Sequence, residues 1–207
     1  THIMDRFGVE VTLVEMLDHI LPTEDEEAAK VLARSFKKRK IAMYTSAKAS
    51  PPRKEKGKVV LDVETKRGKK SLEAETLLVT VGRAPNTEDI GVESVGISTE
   101  KGFIPVGDYY RTSVDSIFAV GDVVATPQLA HVASKEAELV VEHIAGHTTA
   151  PRLDPTTIPA GVYTEPEVAG FGYTEEQAKE RGFEAASKSF PIRGAGKSVG
   201  IGKTEGM

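Results

Sequence analysis

No cysteine occurs among the 207 residues. Within this stretch that excludes a disulfide framework, a thiolate metal site and a thiol nucleophile. No apolar run approaches the roughly 20 residues that cross a bilayer. The opening THIMDRFG reads as neither a signal nor a transit peptide. Positive charge is not in excess either: the formal net charge of −4 gives no reason to expect nucleic acid or an anionic membrane as partner. Aromatic series are also missing. Tyr109 and Tyr110 stand together with nothing to continue them, so they read as packing or surface residues and not as a stacking platform. What is present, 39% hydrophobic and 28% charged residues, describes a globular chain long enough for one or two domains.

The chain is organised around Thr112–Gly146. Ser116–Val120, SIFAV, is a compact apolar run of strand type that Gly121 punctuates. Asp122 then falls at the carboxyl end of the strand, where open α/β sheets bind ligands. From Leu129 the apolar residues Val132, Ala133, Ala137, Val140, Val141 and Ile144 recur at helical spacing, and Gly146 is a stop. Such a helix aims unpaired N–H groups and its positive dipole end toward the crevice beside Asp122. A carboxylate that accepts hydroxyl hydrogen bonds, next to donors suited to an anion, fits a sugar-phosphate cofactor.

A Gly-Asp pair alone is a weak signal, and a plain turn is the commoner reading. The whole string is more specific. It resembles the second FAD-binding motif of the flavin-dependent pyridine nucleotide–disulfide oxidoreductases, and LAHVAS, Leu129–Ser134, is nearest to the dihydrolipoyl dehydrogenase branch. The resemblance implies that Asp122, after Gly121, binds the ribitol of FAD. It also implies that the backbone of Gln128, Leu129, Ala130 and His131 meets the pyrimidine edge of the flavin, where negative charge gathers on reduction. His131 receives a cofactor contact and no proton-transfer role. A second resemblance is VGRAPN, Val81–Asn86, whose glycine in that family approaches the nicotinamide nucleotide; here that is Gly82, and the role of Arg83 stays open.

Taken in order, Ile3–Phe7 reads as a helix end and Val9–Glu15 as a buried parallel strand ending in an acid. In a dinucleotide-binding fold an acid about 20 residues beyond the glycines holds the adenine ribose hydroxyls. Glu15 stands in that position, and the resemblance adds the backbone near Ala49 at the adenine. Met16–Leu21 contains no arginine to meet a 2′-phosphate, which favours NAD over NADP. Thr23 and Glu26 have capping-box spacing before a helix whose stripe is Ala28, Ala29, Leu32 and Phe36. The cluster Lys37–Lys40 is the solvated end of that helix, not a nucleic-acid patch. Ile41 and Met43 alternate as a short strand. Lys58–Thr65 and Ser71–Glu75 form a hairpin, Thr76–Gly82 a central parallel strand, and Gly102–Val106 an edge strand. Thr149–Pro159 is a proline-rich boundary, after which Thr174 and Gln177 form a second capping box closed by Gly182. Gly194, Gly196, Gly200 and Gly202 lack P-loop spacing and read as a flexible hairpin.

The expected fold is α/β: incomplete Rossmann-like FAD/NAD(P)-binding domains followed by the start of an α+β dimerisation domain. The expected segments are 1–83 from the NAD-binding domain, 84–150 from the FAD-binding domain and 151–207 opening the dimerisation domain. The resemblance aligns with only the middle to late part of a family member, so the chain is expected to be a fragment. By resemblance the parent oxidises dihydrolipoyl groups of a 2-oxo acid dehydrogenase complex with FAD and NAD as cofactors. Its partners are a lipoyl domain and a second copy of itself, in bacterial cytosol or mitochondrial matrix. The family's redox cysteines and its late histidine–glutamate pair are not in the sequence, so no catalytic residue is assigned and the chain alone is expected to be inactive. No metal site is expected. The alternatives are another flavin disulfide reductase, of mercuric reductase or soluble transhydrogenase type, a noncatalytic NAD-binding module, or an interaction protein.

Overall fold

A computed structural model describes residues 1–207. In chain order the elements are α1 (His2–Arg6), β1 (Thr12–Val14), α2 (Glu26–Lys38), β2 (Ala42–Tyr44), β3 (Lys48–Ala49), β4 (Arg53–Glu55), β5 (Lys58–Thr65) and β6 (Gly68–Ala74). They continue with α3 (Ala130–Ile144), β7 (Ala160–Val162), β8 (Val168–Gly170), α4 (Glu175–Glu180) and α5 (Gly196–Gly200). The contacts divide the chain into two units. Thr1–Leu78 with Pro159–Met207 forms one, and Val79–Ile158 the other.

In the first unit β1 and β2 pair in parallel, Leu13 opposite Met43, with α2 as the crossover between them. This is the strand–helix–strand arrangement that parallel pairing requires. The α2 N-cap is Asp25, whose carboxylate accepts from the N–H groups of Glu27 and Ala28 at 2.9 and 3.3 Å. The Thr23–Glu26 box therefore does not form: Asp25 lies two residues closer to the apolar stripe and is the better acceptor. Glu26 and Glu27 in the first turn and Lys37 and Lys38 in the last complement the dipole. Leu32 and Phe36 bury the inner face against Ile20, Ile41 and, from the distant second segment, Val168. Ser35 Oγ donates to the Glu165 carbonyl at 3.3 Å, and the Glu165 carboxylate accepts from Arg6 and Lys203. Those cations, Arg6 first, hold its pKa below the usual range.

The expected hairpin forms, its return strand at Gly68–Ala74 where Ser71–Glu75 was expected, with Leu61 opposite Leu72. Its other edge was not foreseen. β3 and β4 lie end to end along β5, pairing with Val63–Glu64 and Lys58–Val60 respectively. β7 and β8 make a small antiparallel pair. Next to it the Thr174–Gln177 capping box is complete in both directions, 3.2 Å each way. Glu175 in the first turn accepts from Lys179 and from the Ser187 N–H, and its pKa falls from 4.5 to about 2, chiefly through Lys179 and then Ser187. The sign follows. The stabilising charge is fully present above the ordinary value and is lost as pH falls from about 4.5 toward about 2. A carbon-13 titration should place the Glu175 carboxyl midpoint near 2. Residues Phe190–Met207 form a single turn and the short helix α5 where a hairpin was expected, so the glycines there do not break the local helical path. Tyr163, Phe171 and Phe190 stay exposed, the uncovered apolar surface that two short strands and one helix leave.

The second unit has fewer strands than its apolar runs suggest. Thr76–Gly82, which spans the division between the units, pairs with no strand, and Leu78, Val79 and Val81 are exposed. A central parallel strand needs neighbours on its edges, and β1 and β2 pair only with each other. Ser116–Val120 is extended but meets only Tyr110–Thr112, through a bridge between Arg111 and Phe118 and bonds of 3.0 Å from Ala119 N–H to Tyr110 O and Thr112 N–H to Ile117 O. Gly102–Val106 is likewise a turn and an extended piece whose Ile104 N–H reaches Val123 O at 2.8 Å. Without ladders, burial holds the unit: Val92, Ile97, Ile104, Ala119 and Val124 form one cluster, and Tyr110, Leu139 and Val140 another. Tyr110 is the packing residue expected of it; its hydroxyl accepts from Leu153 N–H at 3.1 Å and burial raises its pKa. The inner face of α3 is Val132, Glu136, Leu139 and Val140, while Val141 and Ile144 are exposed.

Candidate cofactor-binding site

Gly121–Val123 makes one tight 3-10 turn between extended Val120 and the segment leading to α3. Gly121 is needed there for two reasons. Its φ is +76°, the left-handed region that favours glycine, and a Cβ would sit 3.0 Å from the Ala133 Cβ on α3. Its N–H donates to Glu136 Oε2 at 2.6 Å, and Val124 N–H closes the turn on Gly121 O at 3.0 Å.

The turn presents Asp122 outward, its side chain 51% exposed. Arg83 Nη1 lies 3.4 Å from both Asp122 Oδ2 and the Gln128 carbonyl, and Gln128 Nε2 donates to the Asp122 carbonyl at 3.3 Å. These contacts are long and solvated, worth about 1 kcal/mol or less. The carboxylate is thus open to exchange Arg83 for other donors. The amino end of α3 has no side-chain cap: its N-cap is Leu129, which has no side-chain acceptor, and no acid stands in the first turn. Ala130 and His131 are exposed. A 15-residue helix with an uncapped, unneutralised amino end leaves its partial positive charge available to an anionic group. The turn and Gln128 therefore bring Asp122 and this helix mouth together, the arrangement that Ser116–Ile144 suggested.

The remaining candidates are less assembled. Glu15 follows β1, and its Oε1 already accepts from Leu17 N–H at 2.8 Å. The Ala47 N–H reaches Glu15 O at 3.0 Å, so the stretch just before Ala49 runs beside it. Ala49 itself lies in the β3–β5 ladder opposite Val63, exposed. Gly82 has φ +151° and open space around it. A surface groove of about 630 Å³ runs along Pro105–Tyr109, Arg111–Ser113 and His143, and none of the candidate residues lines it. Arg83, whose role the sequence left open, is a partner of Asp122, and Glu136 escaped sequence reasoning. Glu136 is wholly buried, and its signal was present: it stands four residues from both Val132 and Val140, in the middle of the apolar stripe.

Residues 1–137 match the family model for pyridine nucleotide-disulphide oxidoreductase, and residues 158–207 match the dimerisation domain of the same family. The chain belongs to this family. It is 39% identical to the dihydrolipoyl dehydrogenase of Corynebacterium glutamicum, over 100% of this chain and 45% of that relative. With a dihydrolipoyl dehydrogenase of Bacillus subtilis it shares 40% identity over 97% of this chain and 43% of the relative. The chain thus spans about half the length of the curated relatives it matches. Among solved structures, LpdA from Mycobacterium tuberculosis superposes with a TM-score of 0.87 at 30% identity, covering 99% of this chain and 44% of that one. The HOCl-induced flavoprotein disulfide reductase RclA from Escherichia coli gives 0.87 at 25% identity, covering 99% and 46%. The fold is accordingly a Rossmann-like nucleotide-binding region followed by the opening of an α+β dimerisation domain. The oxidoreductases of this family work with FAD and a pyridine nucleotide. No helix of the chain is long and apolar enough to cross a membrane.

Proposed function

We propose that this chain is part of a dihydrolipoyl dehydrogenase and that Gly121–His131 forms one wall of its FAD pocket. The observation that carries the reading is an exposed carboxylate, Asp122, held beside an uncapped helix mouth at the end of an extended segment. In that pocket Asp122 would accept hydrogen bonds from ribitol hydroxyls, displacing its weak contact with Arg83. The backbone from Gln128 to His131 would face the flavin edge, where the α3 dipole favours negative charge. Glu15, Gly82 and the backbone near Ala49 would hold NAD. FAD, when bound, supplies the electron transfer between a dithiol and NAD; these residues bind and orient it. The thiol pair of that chemistry is not carried by these 207 residues, which contain no cysteine. The 207-residue chain by itself is therefore expected to show no dihydrolipoamide-dependent NAD reduction.

The protein partners we propose are the lipoyl domain of a 2-oxo acid dehydrogenase acyltransferase and a second copy of the protein, paired through the region that begins at residue 158. Bacterial cytosol or mitochondrial matrix suits this assignment. The likeness to RclA keeps a second reading open, a flavin disulfide reductase with another substrate. LAHVAS and the curated relatives favour the first.

Fluorescence titration with FAD tests the site. Replacing Asp122 by Ala removes charge-assisted bonds worth about 1.5–3 kcal/mol, so the dissociation constant should rise roughly 10- to 100-fold. An unchanged constant, or no FAD binding by the wild-type chain, would reject the assignment.

A further inference from the structure

Glu136 is the only charged side chain among the buried residues, with 0% of its surface exposed. Its Oε2 accepts the Gly121 N–H at 2.6 Å, and its Oε1 has no hydrogen-bond partner. A half-satisfied carboxylate in a core is costly, and an apolar side chain of similar volume would fill the space without that cost. The neighbours Val132, Leu139 and Val140 are of that kind. What none of them could do is accept the Gly121 N–H. Ala133, three residues earlier on α3, stands with its Cβ 3.0 Å from where a Gly121 Cβ would sit. The turn is thus pinned to α3 at two points, one steric and one polar.

The next residue is Asp122. Its side-chain contact with Arg83 is long and exposed and cannot fix its direction against solvent. We propose that Glu136 is the positioning residue of this turn: by holding the Gly121 N–H it sets where the Asp122 carboxylate points relative to the mouth of α3. The inference rests on the FAD reading of Asp122. It does not touch the cofactor; it acts through Gly121.

The test compares Glu136→Met with Glu136→Gln in the full chain, using two readouts. Without ligand, NMR hydrogen exchange at the Gly121 amide should rise at least about tenfold in the Met variant and stay within about threefold of wild type in the Gln variant, whose side-chain oxygen still accepts. The dissociation constant for FAD should follow the same order, about tenfold weaker for Met and rescued by Gln, with melting temperatures within about 4 °C of one another. Unchanged Gly121 exchange in the Met variant would overturn the proposal. So would equal loss of FAD affinity in both variants, or a lowered melting temperature with affinity unmoved. Should the Met variant not fold, Gln decides alone, since exposed Gly121 exchange there contradicts the rescue. A wild-type chain that binds no FAD sinks the cofactor assignment by itself, while the exchange measurement still reports on whether Glu136 holds the turn.

Discussion

Gly121→Ala should destabilise the 79–158 unit by about 2–5 kcal/mol and abolish whatever flavin affinity the chain has. Two independent effects add. The left-handed backbone at φ +76° costs a residue with a Cβ about 1–2 kcal/mol. The new methyl would also lie 3.0 Å from the Ala133 Cβ, and overpacking a tight contact costs about 1–3 kcal/mol. Neither can relax cheaply, because the Glu136 bond holds the turn against α3. A urea melt followed by a probe in the unit should show the loss, with the slope unchanged. Pairing it with Ala133→Gly separates the causes: the double variant recovers the steric part and leaves the backbone part. A midpoint within experimental error of wild type would mean that the turn is not pinned as described.

Leu32→Ala should cost a comparable amount, about 2.7–5 kcal/mol, the range for a leucine removed from a core that cannot collapse. Leu32 is 1% exposed and packs with Phe36, Ile20 and Ile41 of its own segment and with Val168 of the segment that rejoins the unit. The cavity would therefore open at the junction of two distant pieces of chain. Limited proteolysis should then cut within residues 159–207 well before it cuts the β5–β6 hairpin, whose pairing does not depend on Leu32. Simultaneous cleavage of both would show that the first unit melts as one body.

The sequence carried the features that local chemistry decides. The α3 helix, the Thr174–Gln177 box and the Lys58 hairpin each need only residues within a few positions, and each formed, though α3 buries Glu136 and Leu139 in place of the expected Val141 and Ile144. It misled where an outcome depends on distant partners. Thr76–Gly82 has the composition of a central strand, yet no other strand lies along it, so composition translated into exposed Leu78 and Val81. Ser116–Val120 reads the same way and found only Tyr110–Thr112 beside it. Asp25 displaced Thr23 as a cap because two candidates two residues apart compete and helix entry geometry chooses between them. At the candidate site Asp122 and the Leu129 end of α3 were legible, since strand, glycine, acid and helix follow directly in the chain. Glu136 was not, because an acid in a helix is ordinarily solvated. Only the position of the Gly121 N–H across the contact makes it useful.

The core that joins Leu32 to Val168 has a temporal consequence. Residues 79–158 are made between α2 and the piece that covers it, so until 159–207 follow, Leu32 and Phe36 lack part of their cover. The nascent first segment is therefore the species that a chaperone has most reason to hold.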